Sequence, residues 1–267
     1  MYEVFCDNAK DASSLLHPNF YQTIVTSPPY FGLRVYGEDD REVGANQTLD
    51  EYIDELVGVF ESLKFSLRDD GVLWVNIGDC YNGSTGAGTD YHEGGRKEGK
   101  NKWGMRSVKG LAPKNLIGVP WRFALAMQKA GWILRSEVVW WKTKAYPQQE
   151  SYIKRPIPAH ETVFMFSKSP DYRWNATGKR FSVWRMSPTS RNPHEAPFPL
   201  RLPMECILAS TNEGDWVLDP FAGSGTTGEA ALICGRSATL IELYPKSAEV
   251  CRQRLAGVSL AKDVEWV

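Results

Sequence analysis

The chain has 267 residues, enough for one large domain, and 42% of them are hydrophobic, enough for a sizeable core. No apolar run approaches the roughly 18 residues of a membrane span and no signal-peptide pattern is present, so we expect a cytoplasmic protein. The net charge is -1, and the five scattered cysteines form no C-x-x-C pair, which argues against a zinc site or a disulfide framework.

Apolar runs alternate along the chain with segments of helical periodicity, the pattern of an α/β architecture. We predict strands at Glu3–Cys6, Thr23–Thr26, Val72–Ile77, Ser136–Trp141, Thr162–Phe166, Trp216–Leu218 and Ala238–Ile241. We predict helices at Leu49–Leu67, Pro120–Ala130, Leu202–Ser210, Thr227–Cys234 and Pro245–Leu255. Asp70-Gly71 is predicted to form the turn between the first of these helices and the next strand.

Two stretches, 81–113 and 173–199, lack this pattern, and positive charge is in excess over 81–113 and 143–195. Residues 81–113 contain eight glycines and six basic against three acidic residues, which predicts a long loop insertion. Residues 143–195 contain nine Lys or Arg against four Asp or Glu. Such local charge favours an anionic partner, and ordinary solvated loop charge explains it equally well.

A strand at Val217–Asp219 ends in an acid and enters a glycine-rich turn before a helix. Glycines let the backbone approach a ligand closely, and a helix N-terminus presents unpaired N–H groups. No Gly-Lys-Ser/Thr follows, which excludes a P-loop, whereas the dinucleotide fingerprint matches formally. Glu242 ends the next strand, where it can bind ribose hydroxyls. Asp219 suits a cationic ligand head better than pyrophosphate, so S-adenosylmethionine fits better than NAD.

The phrase DPFAGSGTT followed by IEL resembles the S-adenosylmethionine motif of DNA amino-methyltransferases, and TSPPY resembles their catalytic motif. The catalytic motif comes first, an order similar to that of the permuted beta class. Segments such as GVLWVNIGDCYNGS and AHETVFMFSKSP extend the resemblance over nearly the whole chain. It implies a circularly permuted, Rossmann-like seven-stranded fold in a single domain, 1–267, whose sheet is mostly parallel with one antiparallel strand. Residues 81–113 and 143–199 would then be target-recognition elements.

The resemblance also assigns site residues. Its catalytic set is Ser27, Pro28, Pro29 and Tyr30. Its cofactor set is Asp7, Asp219, Pro220, Phe221, Gly223, Ser224, Gly225, Thr226, Glu242, Phe198 and Pro199. In the permuted layout the first strand lies beside Ala238–Ile241, which brings Asp7 to the adenine of the cofactor; a role for Asp7 as N-cap of a helix at Ala9–Leu16 stays open.

The Ser-Pro-Pro-Tyr string suits methylation of an amino group. The Ser27 hydroxyl and the Pro28 carbonyl can accept hydrogen bonds from both N–H groups of the target, which gathers charge on its nitrogen. The two prolines keep the segment stiff, and Tyr30 can stack on an extruded base. Phe31 or Trp141 would form the other wall of the pocket for the base, opposite Tyr30, although packing in the core is favoured for Trp141. The transfer needs positioning and desolvation, and it requires no metal.

The predicted activity is methylation of cytosine N4 in double-stranded DNA, because Ser is the commoner first residue of the motif in cytosine enzymes. Methylation of adenine N6 is the alternative, and a non-catalytic DNA-binding module is a third, against which the complete set of site residues argues. Attack at cytosine C5 is disfavoured because no cysteine follows a proline. The sequence leaves open a cognate restriction endonuclease and the choice between monomer and homodimer.

Overall fold

A computed structural model describes residues 1–31, 41–44, 47–83, 108–143, 154–175, 181–188 and 198–258. Its strands are β1 Tyr2–Cys6, β2 Tyr21–Thr26, β3 Leu67–Ile77, β4 Ile133–Lys142, β5 His160–Ser167, β6 Val183–Met186, β7 Trp216–Asp219 and β8 Ser237–Glu242. Its α-helices are α1 Leu49–Leu63, α2 Val119–Lys129, α3 Arg201–Ser210, α4 Thr226–Ile233 and α5 Pro245–Ala256, and a 3-10 helix covers Ala12–Leu15.

Among the described residues, eight strands form one sheet in the order β1-β8-β7-β2-β3-β5-β4-β6. Neighbouring strands are parallel except at β5, which runs antiparallel to both β3 and β4. This confirms the predicted α/β fold with a mostly parallel sheet and one antiparallel strand. The eighth strand, β6, was not predicted; it is a four-residue edge strand beside β4.

The first strand lies beside the last, as the permuted order predicts. β1 pairs with β8 in parallel, and Cys6 is in register with Glu242 at the carboxyl ends of the two strands. Parallel neighbours bring the residues that follow each strand to the same edge of the sheet. The segment after β1 therefore meets the segment after β8.

The predicted boundary between the first helix and the next strand was wrong. α1 ends at Leu63, and β3 begins at Leu67, so the predicted turn at Asp70-Gly71 lies inside the strand. The register with β2 shifts there, because Tyr21 pairs with Leu67 whereas Thr23 pairs with Val72. A Cβ on Gly71 would lie 2.7 Å from the Leu67 side chain. Glycine therefore lets the chain bulge within the strand without ending it.

Helices cover both faces of the sheet. α1 and α2 pack on the face of β2 and β3 that carries Ile24 and Leu73. α3 and α4 pack on the opposite face, which carries Val25 and Trp74. This three-layer arrangement buries β2 completely, as a central parallel strand requires. In the part of the chain that the structure covers, no helix combines the length and apolar character needed to cross a bilayer.

Candidate active site

The predicted motifs meet at the carboxyl edge of the sheet. Asp7, Glu242, Asp219 and Ser27 follow or end the neighbouring strands β1, β8, β7 and β2. The Thr26 hydroxyl, next to Ser27, donates a hydrogen bond to Asp219 Oδ1 at 2.6 Å. The two motifs are remote in sequence, and this bond joins them directly.

Asp219 lies beneath the glycine-rich turn and is 1% exposed. Its Oδ1 also accepts the backbone N–H of Phe221 at 3.0 Å. Burial raises the pKa of Asp219 to about 6, and hydrogen bonds from Thr227, Thr26 and Phe221 act in the opposite direction. The carboxylate thus ties β7 to β2 and to the turn; direct cofactor contact by Asp219 stays a prediction.

Two glycines shape the turn in different ways. Gly225, the N-cap of α4, has φ of 84°, and a Cβ there would lie 2.6 Å from Cys251 Sγ on α5. Gly223 has φ of 53°, and no described atom lies within 4 Å of the position of a Cβ. Gly225 therefore permits close packing of α5, whereas Gly223 leaves one side of the turn open to a ligand.

Glu242 is held by backbone N–H groups on both oxygens. Oε2 accepts from Gly223 at 2.9 Å and Oε1 from Tyr244 at 3.0 Å. Burial raises the pKa of Glu242, the two backbone hydrogen bonds lower it, and the charges of Asp219 and Glu42 raise it further. Glu42 is 4% exposed and accepts the Tyr244 hydroxyl at 2.5 Å. Glu42 was missed in the sequence because no motif surrounds it.

Asp7 reaches the same edge from β1. Its backbone N–H donates to the Glu242 carbonyl at 3.1 Å, and its Oδ1 accepts the N–H of Asn8. The 3-10 helix that follows begins at Ala12, and its N-cap position is occupied by Asp11. The alternative in which Asp7 caps a helix at 9–16 is therefore wrong.

Other predicted cofactor residues have partners within the protein. Arg254 on α5 donates to the hydroxyls of Ser224 and Thr226 at 3.1 and 2.9 Å. Phe198 and Pro199 are buried where α3 begins. The last two predicted cofactor residues lie on the turn after β7, where Pro220 is buried and Phe221 is half-buried. Their predicted contacts with a cofactor stay predictions.

The Ser-Pro-Pro-Tyr segment is held by side chains from three other elements. Tyr52 on α1 donates its hydroxyl to the Pro29 carbonyl at 2.8 Å. The Tyr30 hydroxyl donates to Glu161 Oε2 at 2.7 Å and accepts from Asn76 Nδ2 at 2.6 Å. A Cβ at position 78 would lie 2.6 Å from the Tyr30 ring, so glycine there makes room for the ring.

Ser27 Oγ lies 3.4 Å from both the Tyr30 hydroxyl and Asn76 Nδ2. Asn76 also donates to Glu161 Oε2 at 3.0 Å, and Lys142 pairs with Glu161 Oε1. Sequence reasoning missed Asn76, Glu161 and Lys142. The available signal was Asn76, a lone polar residue in the apolar run Val-Leu-Trp-Val-Asn-Ile.

The two candidates for the opposite wall differ from expectation. Phe31 is 3% exposed and packs against Tyr52 with ring centroids 5.4 Å apart, so it belongs to the core. Trp141 is 47% exposed, and the Arg185 guanidinium lies 5.3 Å from its ring centroid. The core role favoured for Trp141 is therefore wrong.

Parts of both predicted recognition elements are described, while residues 84–107, 144–153, 176–180 and 189–197 lie outside the described residues. The stem of the 81–113 loop is closed by a bridge between Tyr81 and Leu116. The Arg155 guanidinium lies 3.7 Å from the Tyr81 ring centroid. Beyond β4 and β6, a pocket of about 380 Å³ is lined by Thr143, Arg185, Met186, Ser187, Pro199 and Arg201.

Comparisons with known proteins agree with this arrangement. The N6/N4 methyltransferase family model, described as DNA methylase, matches residues 21–253. The chain is 42% identical over 248 residues to the type II methyltransferase M.Cfr9I of Citrobacter freundii, covering 88% of this chain and 81% of the relative. It is 37% identical over 273 residues to M.SmaI of Serratia marcescens, covering 95% and 90%. A solved structure named PvuII DNA methyltransferase (cytosine-N4-specific) matches with TM-score 0.73 and 20% identity over 98% and 89% of the chains.

Proposed function

Because the chain belongs to the N6/N4 family of DNA methylases, we propose that it methylates N4 of a cytosine flipped out of DNA. Membership makes the chain a DNA methyltransferase, and the N4 position of cytosine is the specific part of the proposal. One observation supports methyl transfer to an amino group: the Thr26 hydroxyl, next to the Ser-Pro-Pro-Tyr segment, hydrogen-bonds to Asp219 beneath the glycine-rich turn. Methyl donor and acceptor would therefore meet at one point of the sheet edge.

The cofactor is S-adenosyl-L-methionine, which supplies an electrophilic methyl group on a sulfonium. The residues that follow or end β7, β8 and β1, here called the cofactor edge, suit this ligand. Glu242 is oriented by two backbone N–H groups and keeps further lone pairs for ribose hydroxyls. Asp7, which follows the neighbouring strand β1, is assigned to the adenine amino group, and the open side of Gly223 admits the ligand. Asp219 keeps a negative charge beneath the turn above pH 6, which favours a cationic ligand.

The Ser-Pro-Pro-Tyr segment after β2, here called the target edge, would bind and orient the base. Ser27 Oγ and the Pro28 carbonyl accept the two amino N–H groups and pull the nitrogen toward pyramidal geometry. The Tyr30 ring, fixed by Gly78 and Glu161, stacks on the base. Tyr52 holds the Pro29 carbonyl, so the segment keeps its shape before the base arrives. This rigidity lowers the reorganisation needed in the transition state.

Basic side chains near this edge are assigned to the DNA backbone. The pocket beyond β4 and β6 presents Arg185 and Arg201 together with the hydroxyls of Thr143 and Ser187, which suits a phosphate. The contact between Arg155 and Tyr81 joins the stem of the 81–113 loop to the basic region. We therefore assign target recognition to these two elements acting together.

Two observations support cytosine as the base. Ser27 occupies the first position of the motif, and the solved relative whose name states cytosine-N4 specificity shares the fold. The curated relatives are named type II methyltransferases, so we also assign the chain to a restriction-modification system with a cognate endonuclease.

The test is methylation of duplex DNA of varied sequence with isotope-labelled S-adenosylmethionine, followed by nucleoside mass spectrometry. We expect labelled N4-methylcytosine as the sole modified base. N6-methyladenine in its place would overturn the choice of base. No modified base, despite measured cofactor binding and DNA binding, would overturn the activity itself.

A further inference from the structure

Glu161 accepts hydrogen bonds from Tyr30 and Asn76, two residues that contact Ser27 Oγ. It stands near the start of β5, and its Oε2 lies 2.7 Å from the Tyr30 hydroxyl and 3.0 Å from Asn76 Nδ2. A carboxylate accepts hydrogen bonds and donates none. The Tyr30 proton and one amide proton of Asn76 therefore both point at Glu161. The same reasoning fixes the Asn76 amide, since the flipped amide would turn its oxygen toward the carboxylate.

The Tyr30 oxygen must then act as an acceptor toward its other neighbours. A phenol carries one proton, and the proton of Tyr30 is directed at Glu161. The remaining contacts of the oxygen within this cluster are Asn76 Nδ2 at 2.6 Å, which donates, and Ser27 Oγ at 3.4 Å. The Ser27 O–H accordingly points at Tyr30. The 3.4 Å separation is long for a hydroxyl pair, and such contacts tighten when substrate binds.

This polarity leaves Ser27 as an acceptor for the target. A serine hydroxyl that donates its proton to Tyr30 keeps its lone pairs for an incoming N–H. If Tyr30 instead donated to Ser27, the Ser27 proton would turn toward the target amino group and oppose its N–H. The direction of one phenol proton thus decides whether Ser27 can receive the amino group.

Lys142 supports the carboxylate from the end of β4. The side chains of Lys142 and Glu161 are 24% and 18% exposed, and they form an ion pair. A carboxylate withdrawn from water this far is costly unless a cation or hydrogen bonds compensate it. Lys142 supplies the cation at Oε1 while Tyr30 and Asn76 supply donors at Oε2.

We propose that Glu161 is a positioning residue that holds the Tyr30 proton and so keeps Ser27 a hydrogen-bond acceptor for the amino group being methylated. The inference rests on the proposed function, because only a target that donates N–H makes the polarity of Ser27 matter. Glu161 acts through Tyr30 and makes no contact with the base.

The test is a double-mutant cycle on Glu161→Gln and Tyr30→Phe, with single-turnover methylation as the readout. The Lys142 ammonium requires an acceptor, so the introduced glutamine would turn its amide oxygen to Lys142 and its N–H₂ group to Tyr30 and Asn76. In this orientation the Tyr30 proton is no longer directed away from Ser27. We expect Glu161→Gln alone to slow methyl transfer ~10-fold, with KM for DNA and the cofactor Kd nearly unchanged. In the Tyr30→Phe background, which lacks the phenol proton, the same change should slow transfer less than about 2-fold.

Glu213→Gln removes an exposed carboxylate ahead of β7, at the opposite edge of the sheet, and serves as the matched control. Circular dichroism and cofactor titration verify that each variant folds. Equal slowing by Glu161→Gln in both backgrounds, or an unchanged rate in the single variant, would overturn the inference while wild-type methylation still supports the proposed function. Absence of methylation by the wild type would overturn both.

Discussion

The cofactor edge and the target edge of the sheet hold their polar groups by different means. At β8, Glu242 is oriented by the backbone N–H groups of Gly223 and Tyr244. At β7, Asp219 accepts the backbone N–H of Phe221 and the Thr26 hydroxyl. At β2, the Ser-Pro-Pro-Tyr segment is oriented by side chains from α1, β3 and β5. The cofactor edge therefore depends mainly on the backbone of the turns after β7 and β8, and it shares the Thr26–Asp219 bond with β2. The target edge depends on the packing of side chains from other elements. Substitutions at the cofactor edge should therefore weaken cofactor binding and spare turnover at saturating cofactor. Substitutions at the target edge should lower turnover and spare cofactor affinity.

The largest effect is expected from Ser27→Ala. Loss of one acceptor aimed at the reacting amino group should lower turnover by about 10²- to 10³-fold, comparable to loss of an oxyanion-hole donor. Cofactor affinity should stay the same, since Ser27 lies on the target edge. Single-turnover methylation and calorimetric titration with S-adenosylmethionine measure the two effects. Ser14→Ala, at an exposed hydroxyl of the 3-10 helix, is the control; a parallel loss of cofactor affinity in Ser27→Ala would contradict the separation.

The next largest effect is expected from Glu242→Gln, which disturbs the cofactor edge. One oxygen becomes an N–H₂ group that faces the backbone N–H of Gly223 or Tyr244. The loss of a charged acceptor should raise the cofactor Kd by about 10-fold or more. Turnover at saturating cofactor should recover. Glu249→Gln, an exposed residue on α5, provides the comparison, and an unchanged Kd with reduced turnover would count against the assignment.

Asp219→Asn should change how the free energy of unfolding depends on pH, because the Asp219 carboxyl group is buried between the two edges. The pKa of Asp219 rises from 3.8 to about 6 in the folded protein. Between these values the folded protein binds a proton that the unfolded chain releases. The contribution of Asp219 to the free energy of unfolding therefore falls as pH rises through this window, and it is smallest above pH 6.

The asparagine of the variant does not titrate, so the stability advantage of the wild type over the variant should shrink by about 2 kcal/mol between about pH 4 and pH 7.5. Urea unfolding of both proteins at the two pH values measures this difference. A difference independent of pH would show that Asp219 is not desolvated in solution.

The smallest effect is expected from Tyr52→Phe at the target edge. Removal of the hydroxyl bound to the Pro29 carbonyl should cost about 1 kcal/mol of stability and lower turnover by a few-fold. Tyr21→Phe removes a comparable buried hydrogen bond, to Thr239, at the start of β2 and away from the site. It should cost similar stability without lowering turnover. Equal turnover in both variants would show that the Pro29 contact is not used in catalysis.

The cofactor edge was readable from sequence because its geometry is encoded in contiguous residues. An acid at the end of a strand, a glycine turn and a following helix name the parts of the site in order, and the structure brings Asp219, Gly223 and Glu242 together. The seven predicted strands and five helices are all present, with shifted ends. The order of the motifs also placed β1 beside β8.

The missing parts depend on contacts that no local pattern reports. Asn76 becomes a partner of Tyr30 only when β3 pairs with β2, and Glu161 only when β5 pairs antiparallel with β3. Glu42 reaches the cofactor edge through Tyr244. Asp70-Gly71 reads as a turn because the dipeptide favours one, yet the bulge lets the strand continue through it. At Asp70-Gly71 strand pairing therefore overrode the local preference for a turn.

The pairing of β1 with β8 also has a consequence for the order of folding. Glu3 and Thr239 hydrogen-bond across a separation of 236 residues, so a ribosome must deliver β8 before β1 can enter the sheet. Until then β1 has no strand beside it, and the adenine side of the cofactor edge is incomplete. Contacts this distant in sequence close late and slow a folding reaction. Acquisition of cofactor affinity should therefore mark the last step of folding, after the target edge has already assembled.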